Sequence, residues 1–341
     1  MKKHFITFFA LALMTQVGLA NVPTGVAAIP EGYYQTVNNK TGDAILEALK
    51  TQIDNHTEIA YGALEDYYEQ TDFRGDTVWD MYSTCRFTIH DTGSQSYVCH
   101  TWNKEHSIPQ SWFNKKTPMK SDLFHVYPTD SRVNNFRGNM PYGETNATTS
   151  GISQDPHNHA LGKIGTSSFS GYSGKIYEPD DEYKGDFART YFYMVARYRN
   201  NTLNSSEGAN VFTANPTNLT SYAQALFLKW HRQDPVSQKE IDRNEAVYGI
   251  QHNRNPFIDY PYLVEYIWGE KAGEKVAMEH LVASCDTIFI PGESDGWRSD
   301  VVPQRVEDAD EVHAAKKVLV DGRIYIVIEG QWFTVMGEHV K

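Results

Sequence analysis

"SDLFHVYPTDSRVNNFRGNM", residues 121–140, changes period halfway along its length. Its first eight residues alternate in the manner of a short strand. Thr129 and Asp130 then offer side-chain oxygens to the free amides of a helix start. In a helix from that point Val133, Phe136 and Met140 share an apolar face, while Asn135 and Asn139, four apart, lie on another. Gly138 weakens that helix and marks its expected end. Upstream, "HTWNKEHSIPQSW", residues 100–112, sets Glu105 beside His106. Strand, loop, strand and helix in that order predict residue 106 opposite residue 139, with room for one metal ion between them.

Those residue types match the parts needed to hydrolyse a phosphodiester. A neutral imidazole, His106, can take a proton from water. The Glu105 carboxylate and the Asn139 amide oxygen suit a hard divalent cation, most simply Mg²⁺, with Mn²⁺ or Ca²⁺ as alternatives. Arg137 carries a planar fork that fits phosphate oxygens. A base of this kind must be neutral, so cleavage is expected to fall as pH drops through the pKa of His106.

The 341-residue chain carries a formal net charge of −12, a poor global field for a polyanion. A nucleic-acid site must then build its own positive patch. Lys104, Lys115, Lys116, Lys120, Arg132 and Arg137 outnumber Glu105, Asp122 and Asp130 between Trp102 and Arg137. Backbone phosphates or plain solvent both account for such lysines.

Lys2 and Lys3, an apolar run from Phe5 to Met14 and the ending Gly18-Leu19-Ala20 read as a secretory leader over residues 1–20. No later stretch is long and apolar enough to span a bilayer. Export permits a disulfide, and Cys85 and Cys99 flank the turn-like "DTGSQ"; a bridge and two buried thiols are both open readings. Cys285 is then left over.

Helical spacing appears from Thr41 (Ile45, Leu46, Leu49, Ile53), around Tyr61–Tyr68, in "FARTYFYMVARYRN", in "LTSYAQALFLKWHRQ" and in "QKEIDRNEAVYGIQHN", the last stopping near Asn255 and Pro256. A strand-like section precedes Val98, and residues 143–186 read as long loops with short strands. The expected organisation is a main domain over residues 21–290, an acidic linker over 291–313 and a short β tail over 314–341 with turns at Asp321-Gly322 and Glu329-Gly330. "DPHNH", with His157 and His159, reads as a loop or a transition-metal pair. "QHNRNPF" offers Gln251, Asn253, Arg254 and Asn255 either to a helix cap and turn or to a substrate cleft. No His-Glu-x-x-His stretch supports a zinc protease.

"NKEHSIPQSWF" and "SDLFHVYPTDSRVNNFRGNMPYG" together resemble the core of the endonuclease I family, secreted or periplasmic nucleases of the ββα-metal (His-Me finger) group. "FARTYFYMVARY", "DPVSQKEIDRNEAVYGIQHNRNPFIDYP" and "LVEYIW" extend the resemblance over about residues 40 to 270. It implies an α+β fold: a ββα-metal core embedded in a mostly helical domain, with the small C-terminal β segment beyond. It also implies His106 as general base, Glu105 and Asn139 as metal ligands, Arg137 as a partner for phosphate or leaving-group charge, and a nucleic-acid substrate cut by a monomer. Family members commonly carry two polar residues after "DL". Here Phe124 takes the first place and His125 keeps the second, where it would tie the hairpin loop or orient the site. The tail ending "GEHVK" resembles C-terminal sorting segments of exported proteins from Bacteroidetes-type bacteria. The implied activity is that of a secreted endonuclease with little sequence preference. An extracellular ribonuclease and a non-catalytic nucleic-acid- or glycan-binding surface protein are the alternatives.

Overall fold

The computed structural model describes residues 29–284 and, as backbone, four strands between residues 316 and 340. The leader, the acidic linker and Cys285 lie outside the described residues. The chain divides into two compact units, Met1–Arg298 and Ser299–Lys341.

Helix α1 (Gly42–Ile53) buries Ile45, Leu46, Leu49 and Ile53, the four residues whose spacing announced it. A 3₁₀ segment (Tyr61–Tyr67) runs into the single turn α2 (Tyr68–Thr71). The strand-like section that follows yields only the two-residue strands β1 (Phe73–Arg74) and β2 (Thr77–Val78), and the backbone is mostly irregular from there to the next strand. β3 (Trp102–His106) pairs antiparallel with β4 (Val126–Asp130), which leads directly into α3 (Ser131–Arg137). In this ββα block His106 faces Val126, and Asn139 lies two residues beyond the helix end. The strand also starts five residues later than "SDLFHVYP" suggests, because Met119–Ser121 forms a 3₁₀ turn and all five residues of β4 are buried. A strand covered on both faces loses the alternation that marks a half-exposed one.

β5 (Lys163–Thr166) and β6 (Lys175–Glu178) form a second hairpin within the long loops. Helix α4 (Lys184–Arg197) is buried along its entire length and packs against α1, against α5 (Ser221–Gln233) and against α7 (Pro256–Asp259). Such a helix cannot leave its charges unpaired. Arg189 pairs with Glu240, Asp186 with Lys239 and Arg197 with Asp54. On its apolar sides Phe192 stacks on Trp268 at 4.7 Å, and Tyr191 lies parallel to Phe212 at 5.6 Å. α6 (Gln238–Gln251) starts at a capping box between Ser237 and Glu240. It stops at His252, in the left-handed region with φ 63°, rather than near Pro256. Asn255 instead caps the next helix, accepting from the Phe257 amide, with Pro256 at its first position. α8 (Leu263–Ile267) completes the helical shell.

Gln251, Asn253, Arg254 and Asn255 of "QHNRNPF" are buried, and their bonds go to the protein itself. Gln251 accepts from the Leu123 amide at 2.8 Å, and Arg254 grips Asp259 with two nitrogens at 2.7 and 2.9 Å. In the second unit β7 (Lys316–Val320), β8 (Arg323–Ile328), β9 (Gln331–Thr334) and β10 (His339–Val340) make an antiparallel sheet in the order β10-β9-β8-β7. Val320 pairs with Arg323 and Ile328 with Gln331, as two-residue connections require.

Candidate active site

The β3–β4 hairpin is seated on the buried central helix by three polar contacts. Tyr191 donates its hydroxyl to the Ser107 carbonyl at 2.9 Å, Tyr193 to Asp122 at 2.7 Å, and Thr190 shares a 2.7 Å hydrogen bond with Tyr127. At the other end the Cys85–Cys99 disulfide forms, settling the open reading. The Cys99 amide donates to Asp130 at 2.7 Å, and the same carboxylate caps α3 by accepting from Arg132 and Val133. The start of α3 is thus tied to both strands before any functional residue is reached.

His106 is 5% exposed, and its Nε2 lies 2.8 Å from the Lys120 carbonyl. A carbonyl can only accept, so Nε2 carries the hydrogen and Nδ1 keeps a lone pair. Nδ1 makes no hydrogen bond among the described residues. Burial first, then the neighbouring His125, hold the ring down at about 3, against the raising effect of the Lys120 carbonyl. His125 is fully buried, donates from Nε2 to the Met119 carbonyl and meets the His106 ring edge-on at 5.4 Å. Its own Nδ1 is buried without a partner among the described residues. Phe124, where the family pattern has a polar residue, is core, packed on Tyr193 at 4.6 Å.

Glu105 turns the other way, as consecutive strand residues must. Its Oε1 accepts from Tyr82 at 2.7 Å and from Arg137 at 2.9 Å, leaving Oε2 with neither bond. Burial raises its pKa, and the Arg137 charge opposes that rise. Arg137 is 0% exposed, and its bonds run to the strand. Its Nη1 also donates to the His106 carbonyl at 2.8 Å, its Nη2 to the Ser107 carbonyl at 2.6 Å, and its guanidinium covers the Tyr142 ring at 4.7 Å. It is a tie beneath the strand, with no nitrogen turned to solvent. Asn139 lies exposed just past Gly138, whose φ of +54° lets the chain turn away from the helix. The structure therefore joins Glu105 to Arg137 and His106 to His125, while Asn139 makes no hydrogen bond to any of them among the described residues.

The donors fit a hard cation. A buried carboxylate whose Oε2 accepts from neither Tyr82 nor Arg137, and an exposed amide with no hydrogen bond among the described residues, leave most of a six-oxygen shell to water, as Mg²⁺ prefers. Elsewhere among the described residues Cys85, Cys99 and His159 converge, but the two sulfurs are bonded to each other. His157 and His159 lie in a loop, with His159 bonded to Thr84.

Two residues around the site have no signal in the sequence. Tyr82 holds Glu105 from 23 residues away. Tyr61 lies over His106, with ring centroids 5.5 Å apart and planes 28° from parallel. Both are tyrosines in a chain with 21 of them, and no spacing singles them out.

Residues 41–262 match the Endonuclease I family. The chain is 34% identical to an extracellular ribonuclease of Bacillus amyloliquefaciens, over 76% of this chain and 87% of that protein. It is 32% identical to an extracellular ribonuclease of Bacillus subtilis (strain 168), over 72% and 81%. An extracellular deoxyribonuclease of Aeromonas hydrophila is 26% identical over 41% and 50%. With the ββα block in place and the match spanning most of the helical domain, this chain belongs to the endonuclease I family of phosphodiester-hydrolysing enzymes.

Proposed function

We propose that this nuclease is a secreted, divalent-metal-dependent monomer that cuts both DNA and RNA with little sequence preference and leaves 5′-phosphate ends. The observation that carries the reading is the His106 tautomer. With Nε2 held on the Lys120 carbonyl, the His106 Nδ1 lone pair has no hydrogen bond among the described residues and can accept a proton from water. As His106 takes that proton, the water oxygen bonds to phosphorus and the bond from phosphorus to the 3′ oxygen breaks. A Mg²⁺ ion held by Glu105 and Asn139 would supply positive charge to the crowded phosphorus centre and the departing oxygen. Arg137 keeps Glu105 and the strand carbonyls of residues 106 and 107 in register.

A water nucleophile does not use the ribose 2′-hydroxyl, so either sugar serves. The names of the relatives, ribonucleases and deoxyribonucleases, agree with that tolerance. A preference for RNA is the second reading, favoured because the ribonucleases match far more of the chain. The leader-like N-terminus, the disulfide and the extracellular relatives support export.

The test is digestion of plasmid DNA and single-stranded RNA by wild type and His106→Ala, each with Mg²⁺ and with EDTA. Loss of a general base slows cleavage by about 10²- to 10⁴-fold, and EDTA should stop it. Equal cutting by the two proteins refutes the mechanism. Intact plasmid beside degraded RNA establishes the second reading. RNA fragments ending in 2′,3′-cyclic phosphate would replace water with the 2′-hydroxyl as nucleophile.

A further inference from the structure

The cations around His106 are not equivalent. Arg137 is neutralised by Glu105, and Lys104 by Glu65. Lys120 forms no ion pair and no side-chain hydrogen bond among the described residues. Its ammonium sits 4.9 Å from the centroid of Tyr61, the same ring that lies over the His106 imidazole at 5.5 Å. Lys120 is half-buried, so its stem is held while its head still meets solvent. One residue thus serves the site twice, its carbonyl fixing the His106 tautomer and its side chain placing a lone positive charge beside the base. In a chain of net charge −12, an uncompensated ammonium next to the reacting centre is a local reversal of the field.

We propose that Lys120, held against Tyr61, is a phosphate-binding subsite for the nucleotide flanking the bond that is cut. The proposal rests on the reading of His106 as the base. An ammonium recognises a phosphodiester as a point charge and takes no information from sugar or base. The ring fixes the direction of the ammonium through cation–π attraction. A phosphodiester drawn to it lies beside the imidazole, which orients the strand for attack. Lys104 also approaches Tyr61, at 5.1 Å, but Glu65 already occupies it.

The experiment is steady-state cleavage of a short single-stranded oligonucleotide with Mg²⁺ at several salt concentrations, using wild type, Lys120→Gln, Lys120→Arg, Tyr61→Phe and Tyr61→Leu. Lys120→Gln keeps the main-chain carbonyl and with it the His106 tautomer. Its KM should rise about tenfold while kcat changes less than about threefold. The slope of log binding against log salt should flatten by about one, as for loss of one phosphate contact. Lys120→Arg should restore most of the affinity, Tyr61→Phe should behave as wild type, and Tyr61→Leu should move part of the way toward Lys120→Gln. Binding of the oligonucleotide to His106→Ala with and without Lys120→Gln gives the same comparison in the absence of turnover. Unchanged KM and salt slope in Lys120→Gln overturn the subsite, as does a fall in kcat with KM intact. A wild type that cuts while Lys120→Gln matches it removes only this inference. Failure of wild type to cut, or a His106→Ala protein as active as wild type, removes the functional reading beneath it.

Discussion

Arg137 has no face turned to solvent, and its neighbours define what its loss would do. Arg137→Met would leave the Glu105 carboxylate and the carbonyls of His106 and Ser107 buried without their donor. Breaking a buried pair in this way costs about 3–5 kcal/mol. Urea denaturation should show a loss of that order together with falling activity. A variant of normal stability and raised KM would place Arg137 at the phosphate. His106 makes the same point through its proton. A base near its ordinary pKa would lose activity as pH falls through the mid-sixes, as the sequence alone suggests. With burial holding the ring at about 3, it stays neutral over that range, so His106 gives no acid limb between pH 7.5 and 5. A pH profile of kcat/KM that halves near 6.5 in wild type, and loses that step when His125 is replaced, would assign the titration to the second ring. Residue types announced the chemistry here. Burial, which decides whether a guanidinium meets substrate and where an imidazole titrates, is a property of contacts with Tyr82, Tyr61 and Lys120 that no local spacing encodes.

At the scale of elements, the helices and the C-terminal strands were legible, and the bounds of β4 were not. α1 and α5 follow apolar periods that survive because each turns an apolar stripe to the core, whereas α4 is buried along its entire length. β4 is buried on both faces and carries no alternation, so its register had to come from pairing with β3. The end of α6 was misplaced because a histidine adopts the left-handed conformation usually given to glycine, while Pro256 opens a helix instead of closing one. The disulfide acts at this scale too. Cys85 and Cys99 are 14 residues apart, and closing a loop of that size contributes about 3 kcal/mol in the chain-entropy description. Because the Cys99 amide donates to the Asp130 carboxylate that caps α3, the effect should be local as well as global. A Cys85→Ser, Cys99→Ser protein is expected to melt earlier and to exchange the Arg132 and Val133 amides faster. Lower stability with unchanged exchange at those two amides would confine the bridge to the loop it closes.

For the whole molecule, the buried titrating groups set opposing slopes of stability against pH. His231 is packed beneath α4, with Nε2 on the Pro261 carbonyl at 3.1 Å and Nδ1 facing Arg189 at 3.4 Å. Burial first, then the Arg189 charge, hold it at about 3. The unfolded chain protonates it near 6.5, so between those values the unfolded state binds more protons and stability rises with pH. That contribution is complete above about 6.5 and is lost as pH falls. At one pKa unit per about 1.4 kcal/mol, keeping the ring neutral at pH 5 costs roughly 2 kcal/mol. Asp80 runs the other way. Burial pushes its carboxyl up to about 7, so the folded state holds the extra proton between about 4 and 7 and stability falls as pH rises there. The two slopes partly cancel in wild type, which hides both. His231→Gln removes one of them, keeping a donor for the Pro261 carbonyl and an acceptor for Arg189. The variant should therefore lose about 2 kcal/mol less than wild type between pH 7 and pH 5 in parallel urea titrations. Equal losses in the two proteins would mean that His231 keeps its proton in the folded state, beside the Arg189 guanidinium, and would move the acid sensitivity to the pair at the hairpin, His106 and His125.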